Sequence, residues 1–326
     1  MTIDPGQLEE PAAVEVPMAP VGEVDLVDAG TFGGAEAQAG ALGIRQQTQF
    51  GDVRKRFMRN KLAVLGLAML AVVFLTALFA PVLAPTDPYK QDLYHTVEGP
   101  SAHHPLGTDE VGRDQLSRII YGSRIAVEVG LAAVLIATTI GILLGAISGY
   151  LGGAWDAVIM RTADIFFAFP ILVGAIVIVL VLGRGVSSVV LSIAIFSWAT
   201  FGRLLRSSIL SIREAEYVEA ARSLGASGWR IVTRHVLPNS LAPVMVYAAV
   251  SVATAVVAET TLSFLGVGVK LDTPDWGNMV AAGQKFFAYK DYLWFFPSMA
   301  VVFTVLGFVF VADGLRDALD PKLRGA

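Results

Sequence analysis

Long apolar runs broken by short polar stretches are the dominant pattern in this chain. Residues 62–83 hold 22 consecutive positions without a charged side chain. Wound as an α-helix they rise roughly 33 Å, which matches a hydrocarbon core of about 30 Å. Comparable runs at 129–150, 165–182, 186–202, 241–258 and 292–312 each reach across with modest extensions. The pattern predicts an all-α integral membrane protein with six transmembrane helices. The shortest run, 186–202, is bounded by Arg184 and Arg203.

Composition strengthens the bilayer reading. Hydrophobic residues make up 55% of the 326 positions and charged residues only 16%, against roughly a quarter charged in soluble chains. The absence of cysteine excludes disulfide frameworks, thiol catalysis and cysteine-based metal clusters. The net charge of -4 hides two regions. Residues 1–52 carry nine acidic side chains against Arg45 alone, which leaves +4 for the rest. That first segment is rich in Ala, Gly, Pro and Glu without periodicity, and is expected to be a disordered acidic tail rather than a cleaved leader. The six-span unit then occupies 53–326.

Basic residues set an orientation. Arg54, Lys55, Arg56, Arg59 and Lys61 crowd the start of the first run, whereas residues 84–123 hold six acidic side chains against Lys90, Arg113 and Arg118. The rule that positive loops stay inside places the amino terminus in the cytoplasm and 84–123 outside. Six crossings then return the carboxy terminus inside. They also place 203–240 there, with Arg203, Arg206, Arg213, Arg222, Arg230 and Arg234.

Within that inside segment, Tyr217, Ala220, Ala221 and Leu224 recur at helical spacing, with Glu216, Glu219 and Arg222 to either side. Gly225 and Gly228 suit a sharp turn, and a second short helix over 229–237 is expected to end at Pro238. An interfacial helix lying on lipid is one reading. Docking into a protein groove is the other, because the alanines permit close backbone approach.

Here a resemblance enters. Glu219-Ala220-Ala221, Gly225 and Leu237-Pro238 resemble the EAA loop of permease subunits in bacterial binding-protein-dependent ABC importers. His235 stands where that pattern has isoleucine, and Val236 supplies the aliphatic side chain. His104-Pro105-Leu106-Gly107-Thr108-Asp109, Gly112-Arg113-Asp114, Thr273-Pro274-Asp275-Trp276-Gly277-Asn278-Met279 and the run from Asp313 to Pro321 resemble the C-type permease of dipeptide, oligopeptide and nickel importers. The similarity spans about residue 50 to the end. It implies a type I importer permease fold in the bacterial inner membrane. It also implies a heterodimer with a B-type permease, two ATPase subunits that bind ATP-Mg, and an external substrate-binding protein. The ATPase-coupling residues would be Tyr217, Glu219, Ala220, Ala221, Leu224, Gly225, Leu237 and Pro238.

The remaining chemistry is sparse. No lysine follows a glycine, so the phosphate-binding loop ending Gly-Lys-Ser/Thr is missing, and neither a cofactor nor nucleic-acid binding is expected. His103 and His104 lie near Asp109, Glu110 and Asp114, but adjacent histidines diverge in extended backbone, and Asp109 with Arg113 is the plainer helical pair. Val111, Leu116, Ile119 and Ile120 suggest an amphipathic surface helix. Gly141, Gly145 and Gly149 form one smooth face suited to close helix packing or, alternatively, to bending. Glu259 is expected near the outer edge of its span, either at the mouth of the pathway or in interfacial hydrogen bonding. Arg161 and Asp164 are expected to pair. The function so implied is import of peptides, or nickel, powered elsewhere. A secondary transporter driven by ion gradients and a non-transporting scaffold are the competing classes.

Overall fold

The computed structural model describes residues 49–319. The acidic tail expected at 1–52 lies outside them except at its end, where Gln49–Arg59 is already a helix, α1. It is followed by α2 (Lys61–Leu78), α3 (Ala80–Leu83), α4 (Gln115–Leu151), α5 (Gly153–Ala168), α6 (Ile171–Leu182) and α7 (Val186–Ile212). The chain continues through α8 (Glu216–Ser223), α9 (Gly228–Ile231), a π-helical turn (Val232–Val236), α10 (Leu237–Phe264), α11 (Trp276–Gln284) and α12 (Tyr292–Leu319). Among the described residues the only β feature is an isolated bridge between Thr108 and Asp114.

Among the described residues, five helices are long and apolar enough to cross a bilayer: α2, α4, α7, the unbroken Val232–Phe264 stretch and α12. The expected third span is not one rod. α5 and α6 meet at 90° around Phe169 and Pro170. Proline disfavours the helical conformation in the residue before it, and Phe169 is accordingly extended (φ -98°, ψ 133°). The first span is interrupted too. Pro81 cannot donate to Ala77 four residues earlier, and α2 gives way to α3 at Phe79.

α4 is the spine. Its 37 residues rise about 55 Å, so it is longer than a span requires. The amphipathic surface helix expected around Leu116–Ile120 is simply its first turns, with Ile120 buried; Val111 lies before it. Further along, α4 presses its small-residue face on α7. A Cβ on Gly145 would stand 2.5 Å from the Gly202 carbonyl oxygen, and one on Gly149 3.1 Å from Ile209 Cβ. Gly141 lies against Phe201 and the backbone of Gly202 in the same way. Lipid supplies no hydrophobic drive between helices, so contact of this closeness is what holds them.

Two prolines show how the helices interlock. The Ala77 carbonyl left unpaired by Pro81 accepts from Arg124 Nε of α4 at 2.8 Å. Pro297 inside α12 frees the Leu293 carbonyl, which accepts from the buried Gln115 Nε2, again of α4, at 3.0 Å. Each side chain replaces a hydrogen bond that the bilayer cannot supply.

Gly145→Leu is expected to destabilise the chain by about 1–3 kcal/mol through overpacking of α4 on α7, read as a melting temperature several degrees lower in detergent. An unchanged melting temperature would mean that the two helices do not approach so closely in solution.

Candidate docking loop and buried polar clasp

The two ends of α4 carry different chemistry. At the Leu151 end lies the segment 213–240. Glu216 and Glu219 open α8 and Arg222 closes it, an arrangement that favours the helix dipole. α8 is pinned by Val218, fully buried with Ile231 and Val236 in the main core. On the other side Tyr217 is 48% and Leu224 88% exposed, Glu219 and Ala220 are exposed and Ala221 is half-buried. The helix thus hangs from the bundle by one valine and presents an apolar stripe to nothing in the described chain.

Gly225 ends α8 in the left-handed region, at φ 80°. The Ala226 N–H donates to the Ala221 carbonyl at 3.1 Å, and the Gly225 N–H to that of Arg222 at 3.0 Å. That pair of bonds is the Schellman arrangement, for which glycine is the favoured residue. Gly228 acts differently from expectation. Its φ is not positive; it makes room for Tyr150, whose hydroxyl would lie 2.6 Å from a Cβ there.

Pro238 does not terminate the second helix as expected. It occupies the first turn of α10, and the π-turn just before it widens the backbone so that the helix runs on: Leu237 N–H reaches back to the Val232 carbonyl. Asn239 Nδ2 donates to the His235 carbonyl at 2.6 Å. Leu237 is half-buried against the core, and Pro238 is exposed. The helical stretch that follows the Gly225 turn is therefore continuous with a membrane helix.

Ion pairs brace this end. Arg206 of α7 grips Asp156 of α5 with two nitrogens, Nη2 at 2.6 Å from Oδ2, and Ser148 of α4 donates to the same carboxylate. Asp164 pairs with Arg203 at 2.6 Å, not with Arg161 as its spacing suggested; Arg203 also lies over the Phe167 ring, 4.3 Å from its centroid. The bend between α5 and α6 permits α7 to supply the better-placed partner.

At the Gln115 end a clasp of buried polar groups binds the connecting segments 84–114 and 265–291. Arg118, 2% exposed, donates through Nη1 to the Pro88 and Asp272 carbonyls at 3.2 and 3.4 Å, and through Nη2 to that of Thr273 at 3.3 Å. Its Nε lies 3.6 Å from Asp109. Asp109 takes Arg113 Nε at 2.7 Å, so the expected pair forms, but in a tight loop and not a helix. Asp114 caps α4 by accepting from Ser117 N–H at 2.8 Å, and its other oxygen meets His104 Nδ1 at 2.9 Å. Tyr292 donates to the Glu98 carbonyl at 2.7 Å, and Trp276 Nε1 to that of Ile119 at 3.0 Å. Among the described residues, no three His, Asp or Glu side chains are grouped to hold a metal ion.

Glu259 belongs to this clasp. It is 1% exposed and accepts from Ser263 Oγ at 3.0 Å, so its carboxyl is enclosed by groups of this chain. Beside it, Asp275 caps α11 by accepting from Asn278 N–H at 2.9 Å. Burial raises the Asp275 carboxyl above the ordinary carboxylate range, while hydrogen bonds from Glu259 and Asn278 act the other way. Val218, Gln115 and Arg124 went unnoticed in the sequence, and Arg118 entered only as a loop charge; Pro81 and Pro297 were the signal for Arg124 and Gln115, since each leaves a carbonyl in need of a donor.

A multi-pass helical bundle with a short, solvent-exposed helix projecting between two of its spans fits a membrane-embedded transporter subunit. Residues 141–325 match the family described as binding-protein-dependent transport system inner membrane component, and the chain belongs to it. Residues 48–102 match the N-terminal transmembrane domain of oligopeptide transport permease C, which identifies the C-type branch. The dipeptide transport system permease DppC of Alkalihalophilus pseudofirmus is 41% identical over 270 residues, 83% of this chain and 89% of that protein. The oligopeptide permease OppC of Bacillus subtilis is 38% identical, covering 84% and 90%. The glutathione permease GsiD of Pectobacterium atrosepticum is 39% identical, covering 85% and 93%. The fold is similar to that of a MetNI methionine ABC transporter in an inward-facing conformation, with a TM-score of 0.52 at 15% identity over 62% of this chain and 96% of that one.

Replacing Arg118 by Met is expected to cost about 3 kcal/mol, because one buried and two part-buried carbonyls lose their donor at once. Thermal unfolding should register the loss, and hydrogen exchange should quicken in 84–114 and 268–275. Exchange unchanged in both segments would deny Arg118 its role.

Proposed function

We propose that this chain forms half of the membrane pathway of an ATP-driven importer, with a B-type permease as the other half. Its cargo would be short peptides handed over by an external binding protein. Peptide is the substrate class in the names of its relatives DppC and OppC, and glutathione in that of GsiD, itself a tripeptide. Hydrolysis of ATP-Mg belongs to two partner ATPase subunits, consistent with the missing Gly-Lys-Ser/Thr loop in this sequence. Both termini and α8 face the cytoplasm in this reading, and the clasp at the Gln115 end faces outward, where it gives the binding protein a firm surface.

The observation that carries the proposal is the division of α8 between anchor and stripe. Val218 fixes the helix to the bundle, while Tyr217, Ala220 and Leu224 stand free. A leucine 88% exposed outside the spanning region has no packing role in its own chain and fits a groove on a partner. Glu219 and Arg222 flank the stripe and set its register. Closure of the ATPases would push on α8, and the continuous helix from the π-turn into α10 would pass that push into the bilayer.

Leu224→Glu should leave insertion and melting unchanged, because the side chain touches nothing, yet reduce ATPase association by about tenfold or more, the cost of a charge in an apolar interface. Peptide uptake in membrane vesicles should fall with it. Wild-type uptake and co-purification by Leu224→Glu would remove α8 as the docking element.

A further inference from the structure

α1 (Gln49–Arg59) turns one face to the bundle and the other away from it. Val53 and Phe57 are half-buried, and Phe57 packs at Gly314 of α12, where an added Cβ would lie 3.2 Å from its ring. On the opposite arc Arg54, Lys55, Met58 and Arg59 are exposed. At 100° per residue Met58 falls between Arg54 and Lys55, with Arg59 just beyond. No described carboxylate lies within ion-pair distance of these three cations. Asn60 then breaks the helix in extended backbone and caps α2, accepting from Leu62 and Ala63 N–H at 3.0 and 3.2 Å. Its Nδ2 donates to Asp317 of α12 at 3.1 Å, and Asp317 itself is in no ion pair with these cations. Immediately beyond, Leu62 and Leu65 of α2 are 57% and 50% exposed, as expected of a lipid-facing surface.

We propose that the outer face of α1 is a binding surface for anionic phospholipids, in which Arg54, Lys55 and Arg59 meet headgroup phosphates and Met58 enters the acyl boundary. Charge complementarity selects anionic over zwitterionic lipid. A water-facing arc has no use for a methionine at its centre, whereas an interfacial helix pairs an apolar side chain with flanking cations. Continuity with Leu62 and Leu65 on a membrane helix favours lipid over the other occupant of matching charge, an acidic protein surface. Seated this way, α1 is held between α12 and the headgroups, and it fixes the depth at which α2 enters the bilayer.

The inference rests only on the chain's place in the membrane, and its readout needs neither peptide nor ATPase, so it fails or stands apart from the transport reading. The chain lacks cysteine, so Met58→Cys provides a single labelling site on the full-length protein. With a fluorophore there, the protein is reconstituted in vesicles of phosphatidylglycerol and phosphatidylcholine, one or the other brominated. Brominated phosphatidylglycerol should quench about five-fold more effectively than brominated phosphatidylcholine at equal fraction. High salt should erase the preference without any further mutation. Arg54→Gln, Lys55→Gln and Arg59→Gln combined should bring the ratio to one while both lipids still quench. Equal quenching by the two lipids in the labelled parent, quenching by aqueous iodide in place of lipid, or shielding that appears only when ATPase subunits are added would each overturn the proposal.

Discussion

A carbonyl freed by a proline inside a bilayer has no water to turn to, and this protein answers the problem with side chains from a single helix. Arg124 serves the carbonyl released beside Pro81, and Gln115 the one released by Pro297. Unsatisfied backbone groups cost several kcal/mol in hydrocarbon, so these two contacts fix the first and last membrane helices against α4. The close glycine face toward α7 completes the arrangement on another side. Three helices thereby become one body with α4 as its axis.

That body has unlike ends. At one, hydrogen bonds donated by Arg118 and Tyr292, together with the contact between His104 and the Asp114 carboxylate, tie the long connections to the helix tips. At the other, α8 stands out on a single buried valine, joined by a tight glycine turn to a helix that runs on into the core. In the coupling role proposed for α8, that helix is the handle and the bundle the body it would move. The arginine–aspartate grip between α5 and α7 lies beside the handle and stiffens its mounting.

Much of this was legible in the amino-acid sequence. Uncharged runs of bilayer length gave the membrane helices, since nothing in a soluble protein requires so many apolar residues in succession. The Schellman turn was legible at Gly225 because few other residues accept its backbone, and the alanine-bearing stripe followed from helical spacing. What escaped was decided by long-range geometry. Pro170 broke a run that read as one span, while Pro238, which read as a stop, was absorbed by a π-turn. The partner of Asp164 came from another helix, 39 residues away, beyond any local spacing rule. Val218 was passed over because it lies off the stripe, yet it is the residue that points inward. Glu259 was located near the correct end, but a linear sequence does not reveal that Ser263 and Asp275 close over it.

The right angle at Phe169 and Pro170 also bears on how the protein is made. α6 has 12 residues and rises about 18 Å, too little to cross about 30 Å of hydrocarbon alone. As the nascent chain leaves the ribosome, this short arm has no stable resting place until α7 emerges, because its Gly174 closes on Phe196. The two are then expected to enter the membrane together as a hairpin.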